Sequence, residues 1–248
     1  MVLSADSELS MRLTSFKNKY PDRYIEVRIA EQNLVNIGAG LATSGKIPFV
    51  TSYSVFLSMK VCEQVRIFVA YPNLNVKFVG ANEGIYAGEK EGSTHQSCED
   101  FSIFRTFLNM MVLNPTDAIE TIGAVKIAAK HYGPVYIRLG GPPTPVYSDK
   151  RLTAGKVELL SNLGNDISIF ATGIMVFKAL KAADILKKKG IYVKVIKIDK
   201  IKPIDKDEII KYLKETGKAI TCEDHLINGG LGSTIAEIIA ENVGGVLA

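Results

Sequence analysis

The sequence is poor in cysteine, in clustered basic residues and in long apolar runs, and each scarcity removes a class of function. Cys62, Cys98 and Cys222 are the only cysteines in 248 residues. Odd in number, far apart and without CxxC spacing, they argue against a disulfide framework or a zinc site and fit a reducing, cytoplasmic setting. The densest basic run is Lys187-Lys188-Lys189, at the end of a predicted helix, and the formal net charge is only +4. That is a solvated helix end, so no nucleic-acid partner is expected. No apolar stretch approaches the roughly 18 residues of a membrane span, so no membrane partner is expected either. The start, Met1-Val2-Leu3-Ser4-Ala5-Asp6, lacks the charged and apolar regions of a signal peptide. No HExxH, no GxxxxGK[ST] and no GxGxxG in register occurs.

What is present is ordinary globular protein: 47% hydrophobic and 23% charged residues. At about 150 residues per domain the length corresponds to two modest α/β domains. That is short for an enzyme carrying both a cofactor domain and a substrate domain.

Apolar β-branched runs alternate with helical patterns. Strands are predicted at Val2-Leu3, 24–27, 47–51, 76–80, 110–113 and 135–138, with helices over 31–43, 54–70 and from Asp117 to Lys130. The segment 81–98 has no periodicity and is the longest irregular stretch of this half. Long loops at strand ends of α/β sheets are where function usually sits. Gly140-Gly141-Pro142-Pro143-Thr144-Pro145 breaks the alternation, and the text to about Asn165 reads as linker. A second alternation follows: strands at 167–170, 192–196 and 219–222, with helices over 176–189, 205–215 and after Gly229. The expected architecture is two consecutive parallel-sheet α/β domains, 1–147 and 148–248.

Four places could carry chemistry. Glu31 stands just past a strand, in the first turn of a Gly/Ala-rich helix, where a carboxylate gains from the helix N-terminus. By itself it also reads as an ordinary helix-start glutamate. His95, in Gly92-Ser93-Thr94-His95-Gln96, closes the irregular loop beside Gly88, Glu89 and Glu91, and histidine is a residue type suited to proton transfer. Tyr53 and Phe56 could wall a flat ring, or simply pack in the core. Gly229-Gly230-Leu231-Gly232-Ser233, after Glu223-Asp224-His225, could cradle phosphate, but tight turning is the better account.

Taken together, five segments resemble the transketolases: Ile29-Ala30-Glu31-Gln32-Asn33, Thr51 to Phe56, Gly88 to Gln96, Asn114-Pro115-Thr116-Asp117, and Glu223 to Ser233. They stand in the family's order and span nearly the whole chain, most like the C-terminal subunit of the split, two-chain type. The resemblance implies a pyrimidine-binding domain followed by a transketolase C-terminal domain. It implies thiamine diphosphate bound between this chain and an N-terminal subunit carrying the diphosphate-binding domain and the Mg²⁺ ligands. The usual Gly-Asp-Gly with a distant Asn is missing here, and the split would explain that. No metal ligand is therefore expected on this chain. Self-association as a homodimer within a heterotetramer is expected too.

Residue roles follow from the same resemblance. Glu31 matches the glutamate that contacts N1′ of the aminopyrimidine. Phe56 matches the aromatic stacked on that ring, and Tyr53 lines the same pocket. Asp6 matches an aspartate at the cofactor. His95 matches the loop histidine that moves protons at the sugar. Arg138 matches a strand-end arginine that binds the sugar phosphate, and Ser10 a weaker phosphate contact. The implied reaction is transfer of a two-carbon ketol unit between sugar phosphates, as in the pentose phosphate pathway.

There are departures. Asn82 stands where the family usually has a second histidine, and Gly88-Glu89-Lys90-Glu91-Gly92 is one residue longer than the usual Gly-Glu-Asp-Gly. Both ends are shorter than the family pattern, as in a trimmed or reduced homologue. Relatives compete. The β subunit of 2-oxoacid dehydrogenases shares Ile-Ala-Glu-Gln but usually has His-Ser-Gln in place of Thr94-His95-Gln96. Deoxyxylulose-phosphate synthase shares Thr-His-Gln but is a single chain. A non-catalytic transketolase-like partner is the reading from a different class.

Overall fold

Short apolar runs separated by helical segments are the pattern of parallel strands joined by crossover helices. The computed structural model, which describes residues 1–85, 91–146 and 157–244, has that plan. The first half runs β1 (Val2–Ser4), α1 (Thr14–Lys19), β2 (Tyr24–Glu26), α2 (Glu31–Thr43), β3 (Phe49–Tyr53), a broken helical run containing α3 (Cys62–Gln64), β4 (Lys77–Ala81), α4 (Asp100–Thr106), β5 (Met111–Leu113), α5 (Ala118–Lys130) and β6 (Val135–Arg138). The second half runs β7 (Glu158–Asn162), β8 (Ile167–Ala171), α6 (Met175–Lys187), β9 (Val193–Lys197), β10 (Lys200–Lys202), α7 (Lys206–Thr216), β11 (Ala219–Cys222) and α8 (Leu231–Ile239).

The larger sheet has the order β10-β5-β6-β4-β3-β1-β2 and the smaller one β11-β8-β9-β7. Both are parallel except at one edge: β10 pairs antiparallel with β5, and β7 antiparallel with β9. β7 lies inside the stretch expected to be linker. Its residues are half-buried at an edge, so they show no clean alternation. β10 belongs to the second half of the chain yet completes the first half's sheet, with Lys200 opposite Leu113 and Lys202 opposite Val112. The expected division at 147/148 falls outside the described residues, as do Gly88, Glu89 and Lys90.

One apolar core spans both halves. Leu3, Phe78, Phe104 and Tyr136 belong to the same buried cluster as Ile196, Ile201, Leu213 and Ile235. The Phe104 and Tyr136 rings stack at 3.8 Å. Side chains of this size each contribute about 1.5–3 kcal/mol on burial, so the halves are held by more than the chain between them.

Local chemistry sets the elements that carry the site. α2 can lie against β3 because Gly38 has no side chain: a Cβ there would sit 2.7 Å from Val50 Cγ2. α5 starts at Asp117, whose carboxylate accepts from the Glu120 amide at 2.9 Å, as an N-cap should. The run expected as one helix over 54–70 contains π-turns at Phe56–Lys60 and Val65–Ala70, on either side of α3. Single π-turns recur at functional sites, and this one carries Phe56. Among the described residues no helix is long and apolar enough to cross a membrane.

Candidate active site

Parallel strands put their carboxyl ends on one edge, where open α/β sheets bind ligands. Asp6 follows β1, Glu31 follows β2, Tyr53 ends β3, Asn82 follows β4 and Arg138 ends β6. The sequence thus delivers all of them to one edge, from separate crossovers.

Three aromatic rings meet there. Tyr53 and His95 lie 4.9 Å apart between centroids, Phe56 and His95 5.1 Å, and Tyr53 and Phe56 5.8 Å, each pair edge to face. The Tyr53 hydroxyl is 2.8 Å from Ser10 Oγ and 3.2 Å from Glu91 Oε1. Asn82 donates to the other Glu91 oxygen at 2.8 Å. Glu91 therefore ties the strand-end residues Tyr53 and Asn82 to the loop that carries His95. Thr94 Oγ1 sits 3.0 Å from His95 Nδ1. Ser10, Tyr53, Phe56 and His95 are thus brought together, with Asn82 and Glu91 beside them.

Glu31 is 2% exposed at the uncapped start of α2. Its carboxylate pairs with the Lys60 ammonium, which also lies 5.7 Å from the Phe56 ring centroid. No sequence motif marks Lys60, although it stands four residues after Phe56 in the same helical run. Ser10 is shared by two cavities. One, about 660 Å³, is also lined by Asp6, Glu26 and Arg28. The other, about 470 Å³, is also lined by Arg12, Asn82 and Glu83. Asp6 is exposed, and its backbone amide donates to Glu26 at 2.7 Å.

Arg138 requires a correction. Expected as a phosphate ligand, it is fully buried. Its Nε and one terminal nitrogen grip the Asp100 carboxylate at 2.7 and 3.0 Å. The other terminal nitrogen faces Glu83 at 3.3 Å, and the one that meets Asp100 at 3.0 Å is also within 3.1 and 2.9 Å of the Ser97 and Asp224 carbonyls. Phe101 covers the guanidinium face at 4.3 Å. An anion would have to displace these partners to reach it. Tyr136 adds a 2.6 Å hydrogen bond to Asp100. Burial pushes the Glu83 carboxyl up to about 7, against the opposing pull of Arg138.

Other candidates settle into structural places. In the glycine run at α8 the Leu231 and Gly232 amides both donate to Glu223, at 2.6 and 2.7 Å, and the Gly229 amide donates to Ser233, so Glu223 fills the place a phosphate would take. The His225 side chain is sealed against Phe101, 5.3 Å between rings, and the His131 carbonyl accepts from the buried Lys77 ammonium at the opposite sheet edge. Burial pushes the Cys98 and Cys222 thiols up, which weakens them as nucleophiles. Among the described residues no group of three His, Cys, Asp or Glu could hold a metal ion.

The chain matches two family models: "Transketolase, pyrimidine binding domain" over residues 1–142 and "Transketolase, C-terminal domain" over 155–247. It is 43% identical to a transketolase C-terminal section from Methanocaldococcus jannaschii, over 98% of this chain and 76% of that one. It is 42% identical to a 6-deoxy-6-sulfo-D-fructose transketolase subunit from a Clostridium species, over 98% of this chain and 75% of the relative. A solved split-gene transketolase, described as an inactive beta4 tetramer, superposes with a TM-score of 0.89 at 40% identity, over 98% of this chain and 78% of that chain. The chain spans about three quarters of the length of these relatives.

Proposed function

The chain belongs to the transketolase family, and from that premise we propose that it is one subunit of a split, thiamine-diphosphate-dependent transketolase. In this reading it carries the pyrimidine side of the cofactor site within residues 1–147, and the C-terminal domain within 148–248. An N-terminal partner chain supplies the diphosphate-binding domain and the Mg²⁺ ligands, and two copies of each chain form a heterotetramer. The observation that carries the reading is one buried carboxylate, Glu31, beside an aromatic face, Phe56, with the half-buried His95 packed on that same ring.

Those residues suit an aminopyrimidine. A flat heterocycle with hydrogen-bonding nitrogens needs a ring wall and a dry carboxylate, and Lys60 already satisfies both surfaces with its ammonium group. When bound, thiamine diphosphate supplies the nucleophilic carbon and the electron sink that two-carbon transfer needs. Glu31 then holds a proton at the ring nitrogen N1′. Phe56 and Tyr53 keep the ring's pocket dry and oriented, with Asp6 at its rim. His95 moves protons at the sugar's hydroxyl and carbonyl, a task for which an imidazole has both a donor and an acceptor nitrogen. Ser10 contacts the acidic end of the sugar, and Arg138 acts from behind the site rather than as a ligand.

The donor and acceptor are phosphorylated sugars, as in the pentose phosphate pathway. The Asn82 and Glu91 pair stands where sugar choice is made. A relative named for a sulfonated sugar fits the view that the acidic end varies in this group. Thr94-His95-Gln96 favours ketol transfer over oxidative decarboxylation of 2-oxoacids.

The test is reconstitution with a chain that carries a Gly-Asp-Gly…Asn motif. With thiamine diphosphate and Mg²⁺, xylulose-5-phosphate and ribose-5-phosphate should give sedoheptulose-7-phosphate. Glu31→Gln should lower turnover by roughly 10²- to 10⁴-fold. Wild-type turnover in that variant contradicts the mechanism, and no transfer with any sugar pair favours a non-catalytic partner.

A further inference from the structure

The loop after β11, which bears Glu223-Asp224-His225, belongs to the second half of the chain, yet it reaches the base of the His95 loop. The Ile85 amide donates to Asp224 Oδ1 at 3.0 Å. The Leu226 amide donates to the Cys98 carbonyl at 3.0 Å. Arg138 joins the two sides, donating to the Asp224 and Ser97 carbonyls. The two ends of the His95 loop meet directly below: the Gly84 amide donates to the Ser97 carbonyl at 2.7 Å and the Ser97 amide to the Gly84 carbonyl at 3.2 Å. Gly84 has φ +63°, and a Cβ there would collide with the Asp224 carboxylate. A side chain at 84 and a carboxylate at 224 are therefore mutually exclusive.

We propose that Asp224 is a positioning residue for the candidate site: it clamps the base of the His95 loop from the second half of the chain. The assignment of that loop to a sugar site rests on the proposed function; the clamp itself does not. Among the described residues, the Asp224 side chain meets the Ile85 amide, and its carbonyl meets Arg138. It acts through Ile85 and the Gly84–Ser97 pair, which set where Asn82, Glu91 and His95 stand relative to Tyr53. The clamp gives the second half a direct mechanical link to the site. Docking of a partner against that half could alter the loop without touching the rings.

Hydrogen–deuterium exchange on the full chain tests this without any activity. The informative amides are Gly84 and Ser97, which bond each other and not Asp224. Asp224→Ala should speed their exchange roughly tenfold or more, as expected when a hydrogen bond to a charged group is lost, while amides of β1, β3 and β6 keep wild-type protection. Asp224→Asn keeps an acceptor for Ile85 and should restore slow exchange. Gly84→Ala attacks the clamp from the other side and should match Asp224→Ala; it also carries the test if that variant does not fold. Unchanged exchange at Gly84 and Ser97 in both alanine variants overturns the proposal, and so does equal loosening in Asp224→Asn. In the reconstituted enzyme, Asp224→Ala should raise the sugar KM more than it lowers cofactor affinity. Loosened exchange with unaltered kinetics would retain the clamp and refute the sugar-site reading of the loop.

Discussion

At the end of β3, Tyr53 and Phe56 stand half-buried around His95, and Glu31 next to them pairs, among the described residues, with Lys60 alone, whose side chain is 43% exposed. At the end of β6, two strands along the same sheet, Arg138 has no exposed surface, and its donors meet Asp100, Glu83 and two carbonyls. Both groups are polar, and both sit at the edge where ligands bind. The difference lies in unspent capacity. The first cluster keeps half-buried rings, an imidazole and a displaceable lysine. The second has turned its polar groups inward to join the two halves of the chain. A third group, Lys197 with Glu120, Glu158 and Asp199, does the same job behind the site. Location at a strand's carboxyl end is therefore necessary for a site and insufficient for one.

That contrast can be broken by substitution. The largest effect belongs to the sealed cluster: Arg138→Met strands the Asp100 and Glu83 carboxylates in the core and should cost about 3–5 kcal/mol of stability, read from urea unfolding. His95→Ala, at the open cluster, should shift that stability by only about 1 kcal/mol while lowering ketol transfer by about 10²-fold or more. If the two variants exchange these signatures, the assignment of open and sealed clusters is reversed.

A smaller effect sharpens the comparison by pH. The Glu83 carboxyl is pushed up to about 7 from its ordinary 4.5, chiefly by burial, and Asp199 to about 7 from 3.8 for the same reason. The folded chain keeps these protons where the unfolded chain has released them. The stability they contribute is complete below the unfolded values and is lost as pH rises through about 7. Glu83→Gln cannot ionise, so its stability relative to wild type should rise between pH 4.5 and 7. A difference that is flat with pH, or falls, contradicts the placement of a protonated Glu83 in the core.

Much of this was legible in the chain because it is local. α2 begins and ends at Glu31 and Thr43, as its apolar face and following Gly45 indicate, and β6 and β11 cover their expected residues. Tyr53, Phe56 and His95, each singled out on its own motif, have their rings within 5.8 Å of one another. What escaped is non-local. β10 is three residues long, too short to show a period, and exists because β5 offers it a free edge. The fate of Arg138 depended on Asp100, Glu83 and the loop at 224, none adjacent to it in sequence. An arginine at a strand end does not reveal how many of its donors are already used. Asp224 escaped for the same reason, since its contact with Ile85 spans 139 positions.

The central claim is that the edge bearing Glu31, Phe56 and His95 is half of a cofactor site, completed by another chain. Calorimetric titration of thiamine diphosphate with Mg²⁺ into this chain alone, into the partner alone and into their mixture tests it most directly. Saturable binding in the mixture, lost there on Glu31→Gln or Phe56→Ala, with weak or no binding by this chain alone, is the predicted result. Tight binding by the lone chain, or binding in the mixture that is indifferent to Glu31 and Phe56, would contradict it.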